Sequence, residues 1–176
     1  VQSIGSQIES ITWMTAEGFS AAISAFVGQN YGAGKIDRVK DGYHKGIRVL
    51  GVIGIFASLV LFIGAEPIFR IFTPNDEIAI KEGIVYLRIL ALSQFFMSIE
   101  IGTAGAFNGL GKTIPPTVAG ISLNTLRIPL ALILSQDAML GLSGIWWSIS
   151  GTGVIKGILI YFWFRIVLGK VNEASK

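Results

Sequence analysis

Five long, mostly apolar stretches recur along the chain at roughly 3–30, 46–69, 83–108, 115–135 and 142–168. A helix needs about 20 apolar residues to cross the hydrocarbon core of a bilayer, and more when tilted. The second, "GIRVLGVIGIFASLVLFIGAEPIF", is apolar all round and Pro67 is expected to mark its end. The first is the least apolar, because Gln7, Glu9 and Glu17 interrupt it. Pro115 and Pro116 suit the opening turn of the fourth, where proline forfeits no helical hydrogen bond. The fifth is followed by what reads as a short polar tail. Only 14% of the 176 residues are charged and mean hydropathy is +0.65, against about 25% charged in soluble domains. The pattern predicts an all-α polytopic membrane bundle of five crossings.

The loops then fix an orientation. Lys35, Arg38, Lys40, Lys45, Arg48, Lys112, Arg165, Lys170 and Lys176 fall on one side by alternation. The opposite side holds Arg70 and Lys81 among Glu66, Asp76, Glu77 and Glu82, with Asp137 in the last loop. The positive-inside rule makes the basic side cytoplasmic, with Val1 outside and the C-terminus inside. The chain starts in a helical pattern without a secretory signal, which reads as a piece of something longer.

Two glycine-rich stretches border the basic side: "GQNYGAGK" at 28–35 and "GLGK" at 109–112. Neither follows a strand nor ends in the Gly-Lys-Ser/Thr of a phosphate-binding loop. Topology alone explains the basic residues beyond the first, where Asp37 and Asp41 interleave with the bases as on a solvated helix. No nucleic-acid partner is expected. With no cysteine and a lone His44, thiolate sites are excluded and a metal centre is not expected. No serine, histidine and acid combination suggests hydrolysis, so no enzyme activity and no cofactor are predicted.

Chemistry must therefore come from charges at bilayer depth, each costing about 2.5–3.5 kcal/mol on insertion scales. Glu17, Glu100, Arg127 and Lys156 fall near the middle of four different spans. They could form one polar layer. Glu100 reads either as a carboxylate exchanging a proton or Na⁺ with substrate, or as a structural partner of Arg127; Ser98 or Thr103 could supply further oxygens to Na⁺. Glu17 is a cavity candidate, Arg127 a counter-ion and Lys156 a pairing partner. Arg88, nearer a helix end, can snorkel. Gly102, Ala106, Gly153 and Gly157 permit close helix approach. Trp146, Trp147, Tyr161 and Trp163 read mostly as interfacial anchors.

Four stretches carry a resemblance. "GFSAAISAFVGQNYGAGKIDRVKDG", "IFTPNDEI", "GAFNGLGKTIPP" and "LRIPLA" with "GLSGIWWSI" are similar, in order and spacing, to the multidrug and toxic compound extrusion (MATE) family of secondary transporters. The resemblance implies helices eight to twelve of a twelve-helix, two-lobe protein, with residues 1–176 as a partial C-terminal lobe. The N-terminal lobe, helices two to six, is the other placement. Gly28, Gln29, Gly32, Ala33, Gly34, Gly109, Gly111 and Lys112 match the family's cytoplasmic turns. Glu100 falls on the helix that carries coupling acids in the family. The resemblance implies H⁺- or Na⁺-coupled antiport of amphipathic, often cationic small molecules, in the cell membrane and in partnership with the missing lobe, so this portion alone is not expected to transport. A lipid-linked sugar flippase and a non-transporting membrane scaffold are the alternatives.

Overall fold

A computed structural model describes residues 2–136 and 139–174. The loop charge Asp137 and the termini Val1 and Lys176, used above to assign sidedness, lie outside the described residues. Five α-helices follow one another: α1 (Gln2–Gly32), α2 (Ile36–Phe72), α3 (Glu77–Gly109), α4 (Ile114–Leu134) and α5 (Leu142–Ala174). No strand occurs among the described residues. By length and composition α2, α3 and α4 are each capable of crossing a membrane.

The helices outrun the apolar stretches. α2 begins at Ile36, so most of the basic connection is helix, and its charges pair along one face: Lys45 with Asp41 at 2.7 Å and Lys40 with Asp37 at 3.9 Å. Pro67 does not end α2, which continues to Phe72. A proline deletes one helical hydrogen bond, a loss that transmembrane helices tolerate. Arg70 to Glu66 (2.9 Å) and fully buried Phe69 hold the turn together around it. The expected polar tail is likewise helical, to Ala174.

The glycine-rich stretches are caps. Gly34 and Gly111 have φ of +71° and +70°, the left-handed region that glycine enters without Cβ penalty. Lys35 N–H donates to Asn30 O (2.8 Å) and Gly34 N–H to Tyr31 O (3.0 Å); Lys112 N–H donates to Phe107 O and Gly111 N–H to Asn108 O, both 2.9 Å. Each pair is a Schellman closure, which satisfies carbonyls left open at a helix end. The same device thus terminates α1 and α3, with glycine followed by lysine both times. At the other end Asp76 caps α3, its carboxylate accepting from Ala79 N–H at 2.9 Å.

α3 is the central helix, packed against α1, α2 and α5, while α4 docks chiefly on α5. Hydroxyls from the three neighbours donate to α3 carbonyls: Ser20 of α1 to Ile101 O (2.8 Å), Ser58 of α2 to Ala91 O (2.6 Å) and Ser150 of α5 to Ile89 O (3.0 Å). Such bonds supply interhelical attraction where lipid offers no hydrophobic drive.

Small residues set the spacing. A Cβ on Gly105 would sit 2.4 Å from Ser20 O, one on Gly109 2.5 Å from Ser24 O, and one on Gly157 2.5 Å from Phe96 O. Gly28 and Gly109, matched by resemblance to cytoplasmic turns, face each other inside the α1–α3 contact instead, 3.2 Å from a Gly28 Cβ to Gly109 O. The C-terminal ends of α1 and α3 therefore meet, and Lys35 and Lys112 occupy one end of the bundle.

Candidate functional site: a polar layer between two apolar clusters

Two buried apolar clusters divide the bundle. One gathers Tyr43, Leu50, Phe107 and Phe164 toward the Lys35 end; the other gathers Phe69, Leu87, Leu90 and Trp146 toward the Asp76 end. Between them α3 and α5 bury Ser93, Gln94, Ser98, Ser148, Ser150 and Thr152. Polar groups away from water must find partners, and the ionisable side chains of the bundle's middle gather along this belt.

Lys156 Nζ of α5 lies 3.0 Å from Glu100 Oε1 of α3, the two side chains only 14% and 17% exposed. The expected Glu100–Arg127 pair does not form. Arg127 belongs to α4, which scarcely touches α3, and its Nε donates to Thr152 Oγ1 of α5 at 2.9 Å. Arg127 still feels the Glu100 carboxylate across the layer. Glu17 is exposed on α1 and forms none of the ion pairs among the described residues, although it is near enough to repel Glu100. The layer thus joins three of the four expected charges.

A fourth member comes from a residue that the sequence reading passed over. Glu9 of α1 accepts a hydrogen bond from Gln94 Nε2 of α3 (3.1 Å) and interacts electrostatically with Arg127. Gln94 is 0% exposed, and its Oε1 has no hydrogen-bond partner among the described residues. The signal was available: an amide in the middle of "LALSQFFM" and a second carboxylate, in addition to Glu17, in a helical stretch without a basic residue both ask for partners. Glu9, Gln94, Glu100, Lys156, Arg127 and Thr152 therefore link α1, α3, α4 and α5 along a stretch of α3 about 9 Å long.

Other expectations are redirected. Ser98 and Thr103 do not face Glu100: Ser98 Oγ donates to Gln94 O (3.0 Å) beside Gly54 of α2, and Thr103 Oγ1 bonds Ile99 O (2.7 Å) and Tyr43 OH (3.0 Å). Two residues along a helix is about 200°, so a hydroxyl at 98 points away from a carboxylate at 100. Trp146 is no interfacial anchor but a buried packing element against Tyr86, ring centroids 5.3 Å apart. Its neighbour Trp147 is exposed. Arg88 rests over the Phe62 ring at 5.3 Å, and His44 Nδ1 bonds Lys40 O at 2.7 Å. Gln29, Gly32 and Ala33 lie exposed at the α1 end and reach none of the charged layer.

A bundle of apolar helices joined by hydroxyl-to-carbonyl bonds, with its exposed ion pairs near the helix ends and one mostly buried pair in the middle among the described residues, defines a polytopic helical membrane protein. The MatE family model matches residues 1–133, and the chain belongs to that family. It is 34% identical over 144 residues to a probable multidrug resistance protein NorM of Thermotoga maritima, covering 81% of this chain and 31% of the relative. Mouse multidrug and toxin extrusion protein 1 is 28% identical over 146 residues, covering 82% of this chain and 26% of the relative. In fold, the chain matches an inward-facing multidrug resistance MATE family transporter of the MOP superfamily with a TM-score of 0.88 at 19% identity, over 98% of this chain and 40% of that one. The chain thus spans about a third of the length of these curated relatives.

Proposed function

We propose that this chain is the larger part of one lobe, helices eight to twelve, of a multidrug exporter driven by H⁺ or Na⁺ antiport. The buried Glu100–Lys156 pair carries the reading. Two charges at bilayer depth are costly even when paired, and a scaffold could replace them with apolar packing. A proton or Na⁺ at Glu100 competes directly with Lys156 for the carboxylate. Cation binding then frees Lys156 from the carboxylate and changes the packing of α5 on α3. Glu9 with the open Gln94 acceptor offers a second station for the cation or for a protonated amine of substrate. Coupling requires only that cation and substrate favour different arrangements of this layer.

The opposing lobe and the remaining helix of this lobe are the partners that would close the substrate path, so residues 1–176 alone are not expected to transport. The protein resides in the cell membrane with the Lys35 and Lys112 turns in the cytoplasm, in keeping with the cluster of bases at that end; the C-terminus follows to the same side. Acids in the layer, rather than a wholly cationic cavity, favour export of cationic compounds over flipping of a lipid diphosphate.

The test is efflux of a cationic dye from proteoliposomes holding the complete polypeptide, under an imposed Na⁺ or proton gradient, with Glu100→Gln. Because that change strands Lys156, Glu100→Gln/Lys156→Gln is run beside it. Loss of gradient-driven efflux in both, with normal insertion, supports coupling at Glu100. Efflux retained in the charge-free double variant makes the pair structural and overturns the reading.

A further inference from the structure

One apolar cleft of the bundle lies away from the polar layer. α2 and α5 scarcely touch each other, and the gap they leave over α3 encloses about 580 Å³, within the roughly 300–1,000 Å³ of small-molecule sites. Its walls are apolar except at Arg48 and Tyr161. α2 runs opposite to α3 and α5. The Arg48 end of α2 therefore coincides with the Tyr161 end of α5, while Ile55 and Phe95 close the cleft further into the bilayer. One turn beyond Tyr161, the Arg165 guanidinium sits 6.0 Å from that ring's centroid. Both arginines are exposed, and neither is in an ion pair among the described residues. The result is a greasy slot with two guanidinium groups at its interfacial mouth.

We infer that this cleft is a binding site for an anionic phospholipid: one acyl chain lies in the slot between α2 and α5, and the phosphodiester headgroup is held at its mouth by Arg48 and Arg165. The charge and the depth argue for lipid over other occupants. A protein helix filling the slot would need to present an acid to two arginines at the interface, whereas a phospholipid carries its charge at that level and hydrocarbon below it. Guanidinium suits the task because its planar fork pairs with two phosphate oxygens at once. Tyr161 orients Arg165 from beneath, as aromatic side chains do at headgroup level. Basic pockets between helices are a recurrent mode of headgroup recognition. The inference does not depend on what the protein exports.

Native mass spectrometry of the complete polypeptide, titrated after delipidation with phosphatidylglycerol or with phosphatidylcholine of the same acyl chains, tests it. Preferential retention of phosphatidylglycerol is expected. Arg48→Gln/Arg165→Gln should weaken it about thirtyfold, the product of roughly fivefold for each basic group near an anionic surface, and Arg88→Gln at the opposite end should not. Val52→Trp, which places an indole over the slot, should displace both lipids without touching the charges. Equal retention of the two lipids, or a phosphatidylglycerol preference that survives the double arginine variant, overturns the proposal. So does indifference to Val52→Trp, which would place a protein segment in the cleft. Dye efflux unaltered in a variant that has lost lipid leaves the transport reading intact while confirming the site.

Discussion

Gly105 offers the sharpest test of the bundle. Alanine there would put a Cβ 2.4 Å from both the backbone oxygen and the Oγ of Ser20. Reaching an ordinary contact at about 3.4 Å means parting α1 from α3 by about 1 Å, since a helical carbonyl cannot swing aside. The Ser20 Oγ–Ile101 O bond, 2.8 Å long, is pulled out of range by the same movement. Overpacking costs about 1–3 kcal/mol, and a lost interhelical hydrogen bond in a membrane adds about 0.6 kcal/mol. Against this, alanine gains about 0.8–1 kcal/mol over glycine in helix propensity. The net expectation is a loss of about 1–3 kcal/mol. Gly18 sits on α1 with nothing within 4 Å of its Cβ position, so Gly18→Ala is expected to be neutral or slightly stabilising. The two variants, unfolded reversibly from mixed micelles of the complete polypeptide, should move in opposite directions. If Gly105→Ala tracks Gly18→Ala, the α1–α3 contact described here is wrong.

Two further variants address the charged residues. Glu100→Ala leaves Lys156 buried without its carboxylate and should cost about 3 kcal/mol, whereas Glu100→Gln/Lys156→Met should cost less than about 1 kcal/mol; losses from Glu100→Gln and Lys156→Met that simply add in the double variant would show that the two side chains do not interact. Asp76→Ala removes the cap of α3 and should cost about 1 kcal/mol, read as faster hydrogen exchange in residues 77–80, while Asp76→Asn should keep most of the protection.

Much of this architecture was legible in the order of residues. Apolar length predicted five membrane-crossing helices; five helices form, and among the described residues α2, α3 and α4 are long and apolar enough to cross, while the motif resemblance predicted the family that the chain proved to match. Helix ends were less legible, because 36–45 has no continuous apolar run; it is helical with Ile36, Val39 and Tyr43 buried at helical spacing and with charge pairs at i,i+3 and i,i+4. Pro67 misled for a different reason, since a proline's cost is local while the packing of Phe69 holds the helix beyond it. In the candidate site, the depth of Glu100, Arg127 and Lys156 could be counted along each span, but not the rotation of one helix against another. Arg127 lost Glu100 because α4 leans on α5 rather than α3. Gly28 and Gly109 were read as turn residues because sequence alone cannot separate a glycine needed for its φ from one needed for its missing Cβ. Glu9 and Gln94, separated by 85 positions, carried individual signals but no indication that they would meet.

The central place of α3 separates the order of synthesis from the order of assembly. α1 and α2 enter the membrane before the helix that receives most of their packing, and the carbonyls at Ala91 and Ile101 that Ser58 and Ser20 will reach are not yet there. α4 waits in turn for α5, with Arg127 lacking Thr152 until the last helix arrives. Each pair of inserted helices is thus provisional until the next one locks it. A substitution in α3 therefore acts on the packing of the helices made before it as well as on its own.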